Sequence, residues 1–141
     1  MENHFDQAGQ HGALVIVGSG PGVGSHVAVR FARSGFKRVV LMSRNLVRLR
    51  VDAVVVQATA PTTQVDIVAI DLSKMNSVRR ALVEVDRRID GSGLECVVYN
   101  ASRIIRSELL APPVEELQHD MHVSYLSVQP PSITRLHTDQ T

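Results

Sequence analysis

Residues 18–24 read GSGPGVG, and the fold of this chain turns on that stretch. Four glycines in seven residues free the backbone for a tight turn and a close approach. The preceding run ALVIV (13–17) is short, apolar and β-branched, which predicts a buried strand. After the glycines, Val23, Val27 and Phe31 recur at helical spacing with Ala28 and Ala32 beside them, and Gly35 follows as a stop. A glycine turn between strand and helix brings open N–H groups and the positive end of a helix dipole to one point, a setting for a phosphate. Two spacings are open. Gly18-x-Gly20-x-Gly22 and Gly18-x-x-x-Gly22-x-Gly24 are both present.

Working outward, RVVLM (38–42) predicts a second buried strand. In NLVRLRVDAVVVQATA (45–60), the valines at 54–56 favour strand locally. Leu46, Leu49, Ala53 and Val56 nevertheless fall at helical spacing and Pro61 closes the segment, so a helix is expected. VDIVAID (65–71) predicts a third strand. Ser73 is placed to cap a helix with the apolar stripe Val78, Ala81, Leu82, Val85 and Ile89. GSG (91–93) ends that helix, and LECVVYN (94–100) predicts a fourth strand. Pro112 and Pro113 open a last helix with Val114, Leu117, Met121 and Tyr125 on its apolar side. Alternating strands and helices argue for the α/β class, a doubly wound parallel sheet with helices on both faces. The expected boundaries are a disordered tail over 1–12, one domain over 13–129 and an irregular tail over 130–141.

Composition narrows the function classes. The formal net charge is +1, so no global field points to nucleic acid or an anionic membrane. No apolar stretch approaches the ~20 residues a membrane span needs, and the polar start MENHFDQAGQHG is no signal peptide. Cys96 is the single cysteine and cannot form an internal disulfide. It reads as a buried thiol in a reducing, cytoplasmic setting.

Three positions separate the two glycine spacings. The first resembles the loop with which methyltransferases hold S-adenosylmethionine. Such loops carry an acid two residues before the first glycine, where this chain has Ile16, and another acid at the end of the second strand. Here that end is Ser43-Arg44, with no carboxylate between Arg30 and Asp52. The fourth strand ends in Asn100-Ala101-Ser102. With the second spacing, Asp71-Leu72 and Asn100-Ala101, the chain resembles the short-chain dehydrogenase/reductase family over roughly residues 13–129. That resemblance implies a Rossmann-type sheet of order 3-2-1-4 and a nicotinamide dinucleotide site. Its expected residues are Gly18, Ser19, Gly22, Val23, Gly24, Ser43, Arg44, Asp71, Leu72, Asn100 and Ala101. Asp71 would contact the adenine, and Asn100-Ala101 would support the sheet and line the site. Arg44 suits a 2′-phosphate, so NADP is expected over NAD. The other basic residues nearby (Arg30, Arg33, Lys37, Arg38, Arg48 and Arg50) read as a solvated face.

The family's chemistry needs a serine and a Tyr-x-x-x-Lys pair. Tyr99 and Tyr125 are followed four residues on by Arg103 and Gln129, and the lysines are Lys37 and Lys74 alone. MHVSYLSVQ (121–129) resembles the family's fourth-helix stretch, with His122 where asparagine is expected. Read this way, the chain is the N-terminal, coenzyme-binding half of an oxidoreductase and is inactive by itself. The alternatives are a non-catalytic NADP-binding module and a truncated gene-model fragment. His119 and His122, three apart, read as surface or packing histidines rather than metal ligands, and Tyr99 as packed. The fourth strand is expected at a sheet edge, inviting self-association there and through the last helix.

Overall fold

The computed structural model describes residues 11–101 and, beyond them, 114–115, 118–119 and 121, which are helical. Strands and helices alternate: β1 (His11–Val17), α1 (Val23–Arg33), β2 (Phe36–Ser43), α2 (Leu46–Thr59), β3 (Gln64–Ala69), α3 (Met75–Arg88) and β4 (Leu94–Tyr99). All strand pairs are parallel, in the order β3-β2-β1-β4. This is the expected doubly wound sheet. The strand order reverses between β1 and β4, which leaves a crevice beyond the carboxyl ends of the strands.

Side-chain alternation along β1 separates two cores. Leu14 and Ile16 share one face with Val39 and Leu41 of β2, covered by Ala28 and Ala32 of α1 and by Leu49 and Val56 of α2. Val15, Val40, Met42 and Val68 face the other way and meet Val78, Ala81 and Val85 of α3. Burial on both faces explains why these strands read as unbroken apolar runs. Each fully buried Leu, Ile or Val side chain is worth about 1.5–3 kcal/mol.

The details depart from the sequence reading in several places. β1 begins at His11, inside the segment expected as a tail; residues 1–10 lie outside the described residues. The His11 ring stacks on Phe36 at 5.0 Å and its Nδ1 lies 2.7 Å from Glu95 Oε1. The Gly12 N–H donates to Glu95 Oε2 at 2.6 Å. These contacts recruit both residues to the sheet. α1 turns Gly24, Ala28 and Ala32 inward and leaves Val23 65% exposed, because only small residues fit where the helix approaches the loop. In α3, Leu82 is half-exposed. Ser73 does not cap α3: the helix starts one residue later, so Lys74 holds the cap position without a side-chain bond, and the Ser73 hydroxyl donates to Asp71 Oδ1 at 2.6 Å. α2 is a helix as expected, capped by Asn45, whose Oδ1 accepts from the Arg48 N–H at 3.0 Å.

Two arginines leave the solvated face. Arg38 donates to Asp66 Oδ2 at 2.7 Å and to Gln64 Oε1 at 2.6 Å, and Arg48 Nε lies 3.3 Å from the buried Asp52. Cys96 is half-buried rather than buried. β4 forms the edge of the described sheet, with Leu94 and Val97 about half exposed.

Candidate functional site

The carboxyl ends of β1, β2 and β4 are tied together, mostly through the backbone. The N–H groups of Gly18 and Ser19 both donate to the Met42 carbonyl, at 2.8 and 3.0 Å. The Asn100 N–H donates to Val17 O at 2.8 Å and its Nδ2 to Gly18 O at 3.4 Å. Gly18 has φ 91°, and a Cβ there would stand 2.5 Å from the Ala101 nitrogen. A Cβ on Gly24 would meet Gly18 O at 2.7 Å. Both glycines are therefore required by close backbone packing. Gly22 starts α1 with φ 141°, in a region that glycine alone visits freely.

α1 begins with no side-chain cap and no acid in its first turn. Its first backbone closures come from Ser25 to Gly20 O and His26 to Gly22 O, each at 3.3 Å. The earlier N–H groups thus stay open at the positive end of the helix dipole. His26 Nδ1 lies 2.7 Å from the Gly22 carbonyl, which fixes the far side of the turn.

A cavity of about 450 Å³ lies over this loop. Of the sequence-derived site residues, Gly18, Ser19, Val23, Gly24, Ser43, Arg44, Asp71, Leu72, Asn100 and Ala101 all line it. Gly22 acts on the turn rather than on the wall. Asp71 and Asn100 lie just past the ends of β3 and β4, which stop at Ala69 and Tyr99. Gly20, Pro21, Ile70 and His119 line the cavity too and were not among the expected site residues. His119 is half-buried there. His122 lies outside the described residues. Among the described residues no group of His, Cys, Asp or Glu is arranged to hold a metal.

The charges around the cavity are unequal. Arg44 is exposed and enters no ion pair among the described residues. Asp71 is held: its Oδ1 accepts from the Ser73 hydroxyl and N–H, and Lys74 Nζ lies 3.7 Å from its Oδ2. The Ser73 hydroxyl above all, then the Ser73 N–H and the Lys74 and Arg44 charges, keep this carboxyl below its ordinary value against the opposing effect of burial. Open N–H groups, an unpaired guanidinium and a fixed carboxylate fit a ligand carrying both phosphates and hydrogen-bonding rings.

A family model described as short chain dehydrogenase matches residues 13–134. The sequence matches no curated protein. L-sorbose reductase from Gluconobacter frateurii, solved with NADPH and L-sorbose, is 26% identical with a TM-score of 0.72, over 84% of this chain and 43% of that one. A short-chain type dehydrogenase/reductase from Mycobacterium marinum is 24% identical with a TM-score of 0.73, over 87% of this chain and 47% of that one. The NADH-dependent reductase A1-R′, solved with NAD, is 21% identical with a TM-score of 0.71, over 84% and 48%. The chain spans less than half the length of each. Among the described residues no helix is long and apolar enough to cross a membrane.

Proposed function

Because the chain belongs to the short-chain dehydrogenase family, we propose that its cavity binds a nicotinamide dinucleotide, with NADP(H) preferred over NAD(H). The coenzyme would supply or accept hydride. This chain's part is to bind and orient it: the α1 terminus and glycine loop receive the pyrophosphate, Asp71 and Leu72 the adenine, and Asn100 and Ala101 the inner wall. One observation carries the NADP preference. Among the described residues Arg44 stands without an ion pair just past the end of β2, and the nearest downstream carboxylate, Asp52, is buried and turned to Ser19 and Arg48. A guanidinium there pairs bidentately with a 2′-phosphate, whereas a ribose hydroxyl calls for an acid.

By this reading the chain is the coenzyme-binding portion of an oxidoreductase acting in a reducing, cytoplasmic setting. The absence of any Tyr-x-x-x-Lys pair in these residues favours a second reading, a binding module without catalysis of its own. Calorimetric titration tests the coenzyme assignment. NADPH should bind more tightly than NADH, and Arg44→Ala should narrow the gap by about 1.5–3 kcal/mol, the range for a charged hydrogen bond. Equal affinities in the parent chain would sink the preference.

A further inference from the structure

Beneath the glycine loop lies a buried acid that the coenzyme site does not use. Asp52 sits on the inward face of α2, between Leu49 and Val56, with 2% of its surface exposed. Its Oδ2 accepts the Ser19 hydroxyl at 3.3 Å. Its Oδ1 lies 3.3 Å from Arg48 Nε, one turn earlier, an ion pair whose geometry falls short of a hydrogen bond. Folding alone does not explain a carboxyl group here. Replacing a buried ion pair by an apolar side chain of similar volume is often neutral or stabilising. The partner is informative instead. Ser19 is 4% exposed and lines the cavity, and its N–H is already committed to the Met42 carbonyl. Ser19 is thus gripped from both sides, by β2 through its backbone and by α2 through its hydroxyl.

We infer that Asp52 is a positioning residue: it clasps the Ser19 hydroxyl, with Arg48 as counter-charge, and holds the glycine loop in its binding shape before a ligand arrives. A loop ordered in advance loses less freedom on binding, so the clasp raises affinity without touching the ligand. This consequence rests on the dinucleotide reading above; the clasp itself does not.

Amide hydrogen exchange on the ligand-free full chain tests it at Gly18 and Ser19, whose N–H groups both bond to Met42. Asp52→Leu and Ser19→Ala should each speed exchange there about three- to tenfold, the equivalent of one hydrogen bond. Rates in β2 should not change. Asp52→Asn keeps an acceptor for the hydroxyl and should exchange like the parent. The double variant Asp52→Leu/Ser19→Ala should be no faster than either single one, since both remove one interaction. Parent-like exchange in Asp52→Leu, additive effects, leucine-like exchange in Asp52→Asn, or an equal rise throughout the sheet would each overturn the clasp. NADPH titration of the same variants should show affinity falling by the same factor while Tm holds. If the parent binds neither dinucleotide, the coenzyme reading fails and the exchange rates still decide the clasp.

Discussion

The two ends of the sheet use the same kinds of residue for opposite purposes. Toward the amino ends of the strands, charged groups pair with one another, although Arg38 Nε is left without a hydrogen-bond partner. Arg38 bridges Asp66 and Gln64, Arg88 reaches the other Asp66 oxygen at 3.2 Å, and the Thr63 hydroxyl donates to Phe36 O at 2.9 Å. Phe36 is stacked by His11 and met by Phe31 at 5.7 Å. At the carboxyl ends, the backbone is tied down equally well, yet the α1 terminus is uncapped and Arg44 has no partner among the described residues. The difference teaches how to tell structure from site in one sheet. Charge closed on itself holds the fold, and charge left open within a fixed frame is what the proposed coenzyme site would use.

Breaking the closed end should cost stability and spare binding. Asp66→Ala strands Arg38 in a partly buried position, and removing one partner of a buried pair costs about 3–5 kcal/mol. Because Arg88 is 45% exposed, the lower end of that range, about 3 kcal/mol, is expected from urea denaturation. Dinucleotide affinity should hold. A loss well under 1 kcal/mol would show that the network is decoration. The open end should respond in reverse. His119→Ala removes a cavity wall, and its dinucleotide affinity should fall roughly fivefold, near the worth of one neutral contact, with an unchanged denaturation midpoint. Equal affinity would leave His119 with the surface or packing role read from sequence.

The smallest effect concerns the clamp between β1 and β4. The Gly12 N–H first, and then His11, keep the Glu95 carboxyl below its ordinary 4.5. A carboxyl whose pKa is depressed in the fold stabilises fully above its unfolded value, and the benefit fades as pH falls through the folded one. Melting curves from about pH 6 down to about pH 3 should therefore fall less steeply in Glu95→Gln than in the parent. An identical acid limb in both would remove Glu95 from the account.

Much of this was legible in the sequence for physical reasons. Strands buried on both faces leave uninterrupted apolar runs, and a loop that must pass within bonding distance of Ala101 and admit α1 leaves fixed glycines. The ends of the strands converge, so residues named at those ends meet in one cavity. What stayed hidden depends on contrast or on partners. α2 carries apolar residues nearly all round, with Val47, Val51, Val54 and Val55 exposed and Leu49 and Val56 buried. The stripe Leu49, Ala53 and Val56 does turn in, but with valines on the other faces as well its spacing did not show that Asp52 goes with it. Arg38 looked like its solvated neighbours because its carboxylate partner, Asp66, is recognisable only in space, whereas Arg48 and Asp52 stand four apart on α2, a spacing that could have paired them from sequence. Ser73 could serve either the helix or Asp71; α3 starts one residue later than read, at Met75, so Ser73 stands before the cap position and its hydroxyl donates to Asp71.

The strand pairing also sets an order in time. β1 meets β2 over a short stretch of chain, His11 opposite Phe36. Its bond to β4 joins His11 to Glu95 across a separation of 84 residues. The entropy of closing the longer loop exceeds that of the shorter by about 1 kcal/mol, on logarithmic scaling with loop length. That difference slows the arrival of β4 relative to the β1–α1–β2 unit. The glycine turn can therefore take shape early on β2, through the paired Gly18 and Ser19 bonds to Met42, while the wall at Asn100 has to wait for the slowest ladder in the sheet.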